Sequence, residues 1–235
     1  MNDNFKSIKH NTFLLNWLTL IFILVIAMIV IGGITRITDS GLSMVEWRPL
    51  LGFLPPLSNQ EWERVFDLYK NTPEYSYYNK GMLFSEFKFI FFWEYFHRLW
   101  GRIIGIVFII PFIYLIVTKK IERFITVRLL VILFLGSLQA FIGWWMVKSG
   151  LIDKPDVSQY RLAIHFGNSL LILFLLFWLI LDLKNKKSKI KFDLNLIIFL
   201  ILFITIIAGS LVAGMDAGLM YNTYPLMNDS FFPID

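Results

Sequence analysis

The sequence predicts an all-α, polytopic membrane protein, and three observations carry that expectation. Hydrophobic residues make up 57% of the 235 residues, whereas a soluble domain averages about 45–50% apolar even with glycine counted. The excess is gathered into five long apolar runs, each near the ~20 residues a helix needs to cross a hydrocarbon core. The net charge of +5 comes from lysines and arginines clustered in particular loops. That pattern suits membrane topology better than nucleic-acid binding, and no nucleic-acid partner is expected. Cysteine is absent, which excludes structural disulfides, iron–sulfur clusters and thiol catalysis.

The runs lie at 13–34, 88–117, 126–147, 162–183 and 194–214. Before the first stands MNDNFKSIKHN. A secretory signal would carry an apolar core of about 7–15 residues and a small-residue cleavage site. Neither is present, so residues 13–34 read as a permanent span. The second run is long enough to begin outside the bilayer or to tilt. Lys6 and Lys9, then Lys119, Lys120, Arg123 and Arg128, then Lys184, Lys186, Lys187, Lys189 and Lys191 fill alternate connections. The positive-inside bias places these on the cytoplasmic side, with the N-terminus in and segments 35–87 and 148–161 outside. The location expected is the inner (plasma) membrane. Segment 35–87 is too long for a plain connector. Its LSNQEWERVFDLYKN pairs a Ser58 cap with Glu61 and apolar positions at helical spacing, which predicts a short amphipathic helix on the membrane surface, read equally as an ordinary lid over the bundle or as a substrate-specific element.

An internal repeat divides the chain. GGITRITDSGLSMVEWRPLLGFLPP ends the first span and AGSLVAGMDAGLMYNTYPLMNDSFFP ends the fifth. Both carry Asp-x-Gly-Leu (Asp39, Gly41, Leu42; Asp216, Gly218, Leu219), then an aromatic residue and Pro-Leu (Trp47, Pro49, Leu50; Tyr224, Pro225, Leu226). Such repeats mark duplicated bundles related by pseudo-symmetry. The repeat unit is then four helices: residues 1–192 form one bundle, and 193–235 carry the first span of a second. Partners of spans two to four are expected in sequence after Asp235.

Three histidines occur. His10 precedes the first span and reads as a solvated residue. His97 and His165 fall in spans two and four, which run in the same direction. At ~1.5 Å rise per residue they sit roughly 10–15 Å and about 7 Å inside the outer ends of their spans, at comparable depth. Two imidazoles at matched depth in a four-helix bundle can ligate a heme iron between them. His97, Gly101 and Gly105 recur at i, i+4, i+8, leaving a stripe nearly bare. That stripe suits a flat macrocycle, and equally suits close helix packing. Glu94, one turn before His97, can orient the imidazole, move protons or meet the reacting edge of a ligand. The alternative is a buried glutamate neutralised by Arg98 or Arg102. Ionisable groups inside a membrane default to function, so Glu94 is the candidate catalytic residue. Arg36 and Arg161, with Arg98 and Arg102, are candidates to pair with carboxylates such as heme propionates; snorkelling to the interface competes for the first two. Gln139, flanked by Gly136, Ala140 and Gly143, reads as an interhelical hydrogen-bonding residue. Trp144 and Trp145 match an interfacial belt. Nothing matches a P-loop, a catalytic triad or a zinc cluster.

Taken together, GGITRITDSGLSMVEWRPLLG, EFKFIFFWEYFHRLWGR, YRLAIHFGNSLLI and AGSLVAGMDAGLMYNTYPLM resemble heme A synthase, in collinear order over essentially the whole chain. The resemblance implies eight spans in two pseudo-symmetric four-helix halves, each with a histidine pair near its outer side. It implies that His97 and His165 line the substrate-heme site and that Glu94 takes part in the reaction. The activity implied is conversion of heme O to heme A, an oxidation of the C8 methyl to a formyl group for cytochrome oxidase biogenesis. A heme b group is implied in the C-terminal half, whose histidines would lie beyond residue 235. The chain resembles the cysteine-free branch of the family. The partners implied are heme O, heme O synthase and cytochrome oxidase assembly factors, with a homo-oligomer a further expectation and no electron donor identified. Two other readings stay open: a bis-histidine b-type membrane cytochrome that carries electrons without turnover, and a transporter or assembly scaffold built on the repeat.

Overall fold

A bilayer offers no water to a peptide group, so a chain this apolar satisfies its backbone within helices. The computed structural model describes residues 2–47, 52–152, 155–185, 193–221, 223, 225–227 and 229–232, with the backbone alone for 2–11, 185 and 219. The described residues form eight helices: α1 (Asn2–Ile37), α2 (Asn59–Lys70), α3 (Pro73–Tyr77), α4 (Phe84–Val117), α5 (Arg123–Gly150), α6 (Gln159–Asn185), α7 (Leu194–Gly214) and α8 (Ala217–Met220). The all-α, polytopic expectation holds. Five helices, α1 and α4 to α7, are long and apolar enough to cross a membrane. Each contains one expected run; α1, α4, α5 and α6 extend beyond it, and α7 coincides with it. α1 starts at Asn2, so the backbone of His10 is helical; its side chain, and Lys186, Lys187, Lys189 and Lys191, lie outside the described residues.

Four helices close a ring. α1 packs on α4 and α6, and α5 packs on α6 and more lightly on α4, so α4 and α6 stand on a diagonal; α7 packs outside the ring, on α6. The two histidine-bearing helices are therefore parallel and face each other across the bundle. The Trp17 indole donates to the Val107 carbonyl (2.9 Å) and the Trp100 indole to the Leu24 carbonyl (3.0 Å), tying α1 to α4. Arg128 pairs with Asp182 between α5 and α6, and its guanidinium lies over the Trp178 and Phe124 rings.

The apolar core occupies one half of the bundle. It joins Leu14 to Val25 of α1, Phe108 to Leu115 of α4, Leu129 and Ile132 of α5, and Ile172 to Ile180 of α6. Leu18, Leu129 and Leu176 are wholly buried there. On α4 and α6 this packed cluster begins at Ile104 and Ile172. Those positions lie seven residues, about two helical turns, beyond His97 and His165.

The other half of the bundle is roofed by α2 and α3. Ser58 caps α2 by accepting the Glu61 amide (3.2 Å), while the Glu61 carboxylate takes bonds from Arg64. The apolar face of α2 meets the start of α4 in an aromatic cluster. Phe66 stacks on Phe87 at 4.7 Å between centroids and Trp62 meets Phe91 edge-on at 5.0 Å. The expected amphipathic surface helix is thus a lid. α3 has no counterpart in the sequence expectations; Thr72 caps it and Pro73 opens it. Tyr78 donates to Asp156 (3.0 Å), joining the lid to the segment between α5 and α6.

The two repeat motifs meet. Asp39 and Asp216 both adopt left-handed backbone conformations, φ 47° and 50°, one after the end of α1 and one after α7. Arg36 donates to Asp39 (3.1 Å), to Asp216 (2.6 Å) and to the Ala213 carbonyl (2.7 Å). Pro49, Leu50 and Tyr224 of the motifs lie outside the described residues.

Candidate functional site

The histidines each lean on a glycine of a neighbouring helix. A Cβ placed on Gly32 of α1 would lie 3.6 Å from His97 Nε2, and one on Gly143 of α5 would lie 2.9 Å from His165 Cε1. The second distance is shorter than real Cβ contacts, so only glycine admits the ring as it stands. A Cβ placed on Gly101 would lie 3.4 Å from Met28 Cε of α1, whereas one on Gly105 would meet nothing within 4 Å. Close helix packing, one of the two uses foreseen for the bare stripe, is thus seen at Gly101. His165 Nδ1 is buried without a hydrogen-bond partner. Its Nε2 lies 3.3 Å from Gln139 Nε2, which also donates to the His165 carbonyl at 3.0 Å. Asn168 in turn donates to Gln139 Oε1 (2.7 Å) and to the Leu135 carbonyl (3.1 Å). Gln139 thus bonds between helices, as its setting predicts.

Glu94 is 2% exposed and fully engaged. One oxygen pairs with Arg98. The other accepts from the Ser43 hydroxyl (2.7 Å) and the Met44 amide (2.6 Å). Arg98 continues the contact, donating to the carbonyls of Met44 (3.0 Å) and Glu46 (3.4 Å). Together the pair pins segment 43–46 to α4, one turn from His97. Sequence reasoning anticipated the Arg98 pairing and missed Ser43 and Met44, because a backbone amide leaves no mark in sequence.

The other arginines are dispersed. Arg102 lies over the Phe53 ring, 5.6 Å from its centroid. Arg161 sits over Trp145 (4.4 Å) and donates to its carbonyl (2.7 Å). Arg36 binds carboxylates, as expected, but those of Asp39 and Asp216. Trp144 meets Trp47 at 5.6 Å and Lys148 at 5.2 Å. A cavity of about 410 Å³ opens under α2, lined by Ser43, Glu46, Arg64, Phe91, Arg98 and Arg102 among others. Arg98 belongs both to its wall and to the Glu94 contact.

Outside the spans, the lid holds a second buried carboxylate. Glu74 is 6% exposed, with Oε2 unpartnered; burial pushes its pKa up to about 8 against a hydrogen bond from Tyr69. Burial likewise raises the Tyr69 phenol. Among the described residues no group of three or more His, Cys, Asp or Glu is arranged to cage a metal ion.

The profile of the COX15-CtaA family, described as cytochrome oxidase assembly protein, matches residues 15–235. The curated relatives include proteins named heme A synthase. That of Nitrosospira multiformis is 49% identical over 225 residues, covering 92% of this chain and 63% of its own length. That of Parvibaculum lavamentivorans is 47% identical, covering 92% and 64%, and that of Neorickettsia sennetsu 47%, covering 93% and 68%. The chain thus spans about two thirds of the length of the relatives it matches. No solved structure matches it significantly. With the bundle, the paired motifs and this profile in agreement over nearly all its length, the chain belongs to the family of cytochrome oxidase assembly proteins.

Proposed function

We propose that this chain carries the substrate-heme half of a heme A synthase, an oxidoreductase converting heme O to heme A by oxidising the C8 methyl to a formyl group. One observation carries the reading. The apolar core stops two turns short of two diagonal histidines, each backed by a glycine, and leaves His165 Nδ1 buried without a partner. Buried polar atoms in proteins are ordinarily paired, so a buried, unpartnered ring nitrogen beside a second histidine across the bundle suits a flat ligand with an iron centre. Relatives at 47–49% identity named heme A synthase support the same substrate.

In this reading His97 and His165 are the iron ligands of heme O, and the ligand's own ring supplies the remaining coordination. Arg98, Arg102, Arg161 and Arg36 are the candidate partners of its propionates. Of these, Arg98 and Arg102 line the cavity under the lid and stand nearest His97 in sequence. Glu94, through Arg98 and segment 43–46, sets the outer wall of the site and is the proposed proton-handling carboxylate. The heme b of the family would need a second histidine pair, and these 235 residues hold only His10 besides His97 and His165. The membrane is the inner one, with the N-terminus cytoplasmic, and residues 1–192 and 193–235 belong to separate halves.

The test is extraction and chromatography of hemes from cells expressing the chain with a heme O source. Heme A, or heme O bound stoichiometrically, supports the reading; absence of any heme from the purified chain overturns it. A second reading, a b-type cytochrome without turnover, is favoured by the complete engagement of Glu94. Glu94→Gln separates the two. A synthase keeps its heme but accumulates heme O or a hydroxylated intermediate, whereas a carrier retains spectrum and function.

A further inference from the structure

Gln139 contributes nothing to the reading above, yet its amide is oriented at both ends by groups of fixed polarity. The Leu135 carbonyl can only accept, so Asn168 presents its amide nitrogen there and to Gln139, whose oxygen must face it. The Gln139 nitrogen is thereby turned toward His165, where a second backbone carbonyl accepts from it. The ring atom 3.3 Å away is Nε2. An amide nitrogen has no lone pair to offer, so this ring nitrogen is the acceptor, and in a neutral imidazole the proton rests on Nδ1. Nδ1 is the atom that lies buried without a partner. His165 therefore has a single lone pair, and Gln139 occupies it.

An iron ligand must give up such a lone pair. Ligation through Nε2 displaces the Gln139 donor. Ligation through Nδ1 sends the proton to Nε2 and sets one N–H against another. Either route breaks the Gln139 contact, while His97 faces the bare Gly32 and has no competing donor among the described residues. We propose that Gln139 is a positioning residue that competes with the iron of a bound porphyrin for His165, making His165 the releasable ligand of the pair and His97 the permanent one. The inference rests on the reading that these histidines hold heme. It also supplies what bis-histidine ligation lacks for chemistry at the metal: a way to leave iron five-coordinate without unfolding the site.

The experiment loads the full chain, purified in detergent, with ferric heme b and reads the spin state by optical and electron paramagnetic resonance spectroscopy. The wild type is a mixture of high-spin and low-spin heme. Gln139→Leu, which keeps the side-chain volume and removes the donor, lowers the ratio of high-spin to low-spin heme by about three- to tenfold, the scale of one lost hydrogen bond. His165→Ala is wholly high-spin, and His97→Ala loses most of its heme. If Gln139→Leu fails to accumulate, Asn168→Leu, which unties the carbonyl end of the same amide, gives the same direction of shift. A Gln139→Leu spectrum identical to wild type, with both histidine variants altered, overturns the inference alone. Unchanged spectra in the histidine variants overturn the heme site itself.

Discussion

At the scale of single residues, two glycines make opposite predictions. A methyl group at Gly143 meets the His165 ring at 2.9 Å, while one at Gly32 meets His97 at 3.6 Å, an ordinary contact. Gly143→Ala is expected to displace the imidazole and cut heme retention in the purified chain severalfold. Gly32→Ala is expected to leave it near wild type. Pyridine hemochromogen assays on the two variants, side by side, check both. The residues that define the site were legible in the sequence because ionisable groups stand out against apolar runs. His97, His165 and Glu94 could be picked by type and spacing alone. Their immediate surroundings could not. Ser43 and the Met44 amide reach Glu94 across about fifty positions of chain, and the Gln139 amide chooses its orientation through backbone carbonyls on two helices.

At the scale of elements, the lid is the part whose stability responds to pH. The Glu74 carboxyl is raised from 4.5 to about 8 by burial, with Glu94, Asp39 and Asp156 adding repulsion and Tyr69 donating a hydrogen bond. Between those two values the folded lid binds more protons than the unfolded segment, so stability falls as pH rises from 4.5 to 8 and levels off above. Glu74→Gln mimics the protonated form and is expected to flatten that dependence. Protease susceptibility of segment 59–78 across pH 5 to 9 reads it out, and an equally steep profile in the variant would refute the assignment. The spans were legible from length and hydropathy, and α2 from its cap and periodicity. α3 was not, because PEYSY offers little more than one turn, too short for any period to show.

For the whole molecule, the large apolar core and the histidines occupy different levels of the bundle. Leu176→Ala, in the wholly buried layer of α6, is expected to cost about 2–5 kcal/mol while leaving the heme spectrum unchanged. Thermal unfolding in detergent and an optical spectrum of the same sample separate the two effects. The ring order of the helices, with α4 and α6 on the diagonal, was only half visible beforehand. Sequence gave their shared direction through the alternating charged connections, whereas adjacency depends on long-range packing that no local pattern encodes.

The Arg36 contact has a consequence for how alike the two motifs can be. Aligning the aspartates of the two motifs sets Arg36 opposite Ala213, the residue whose carbonyl Arg36 grips. An arginine at position 213 as well would place guanidinium groups on both sides of that seam, competing for one small space. The alanine there is what lets Arg36 close on the carbonyl, so the resemblance of the two motifs stops at the point where they touch.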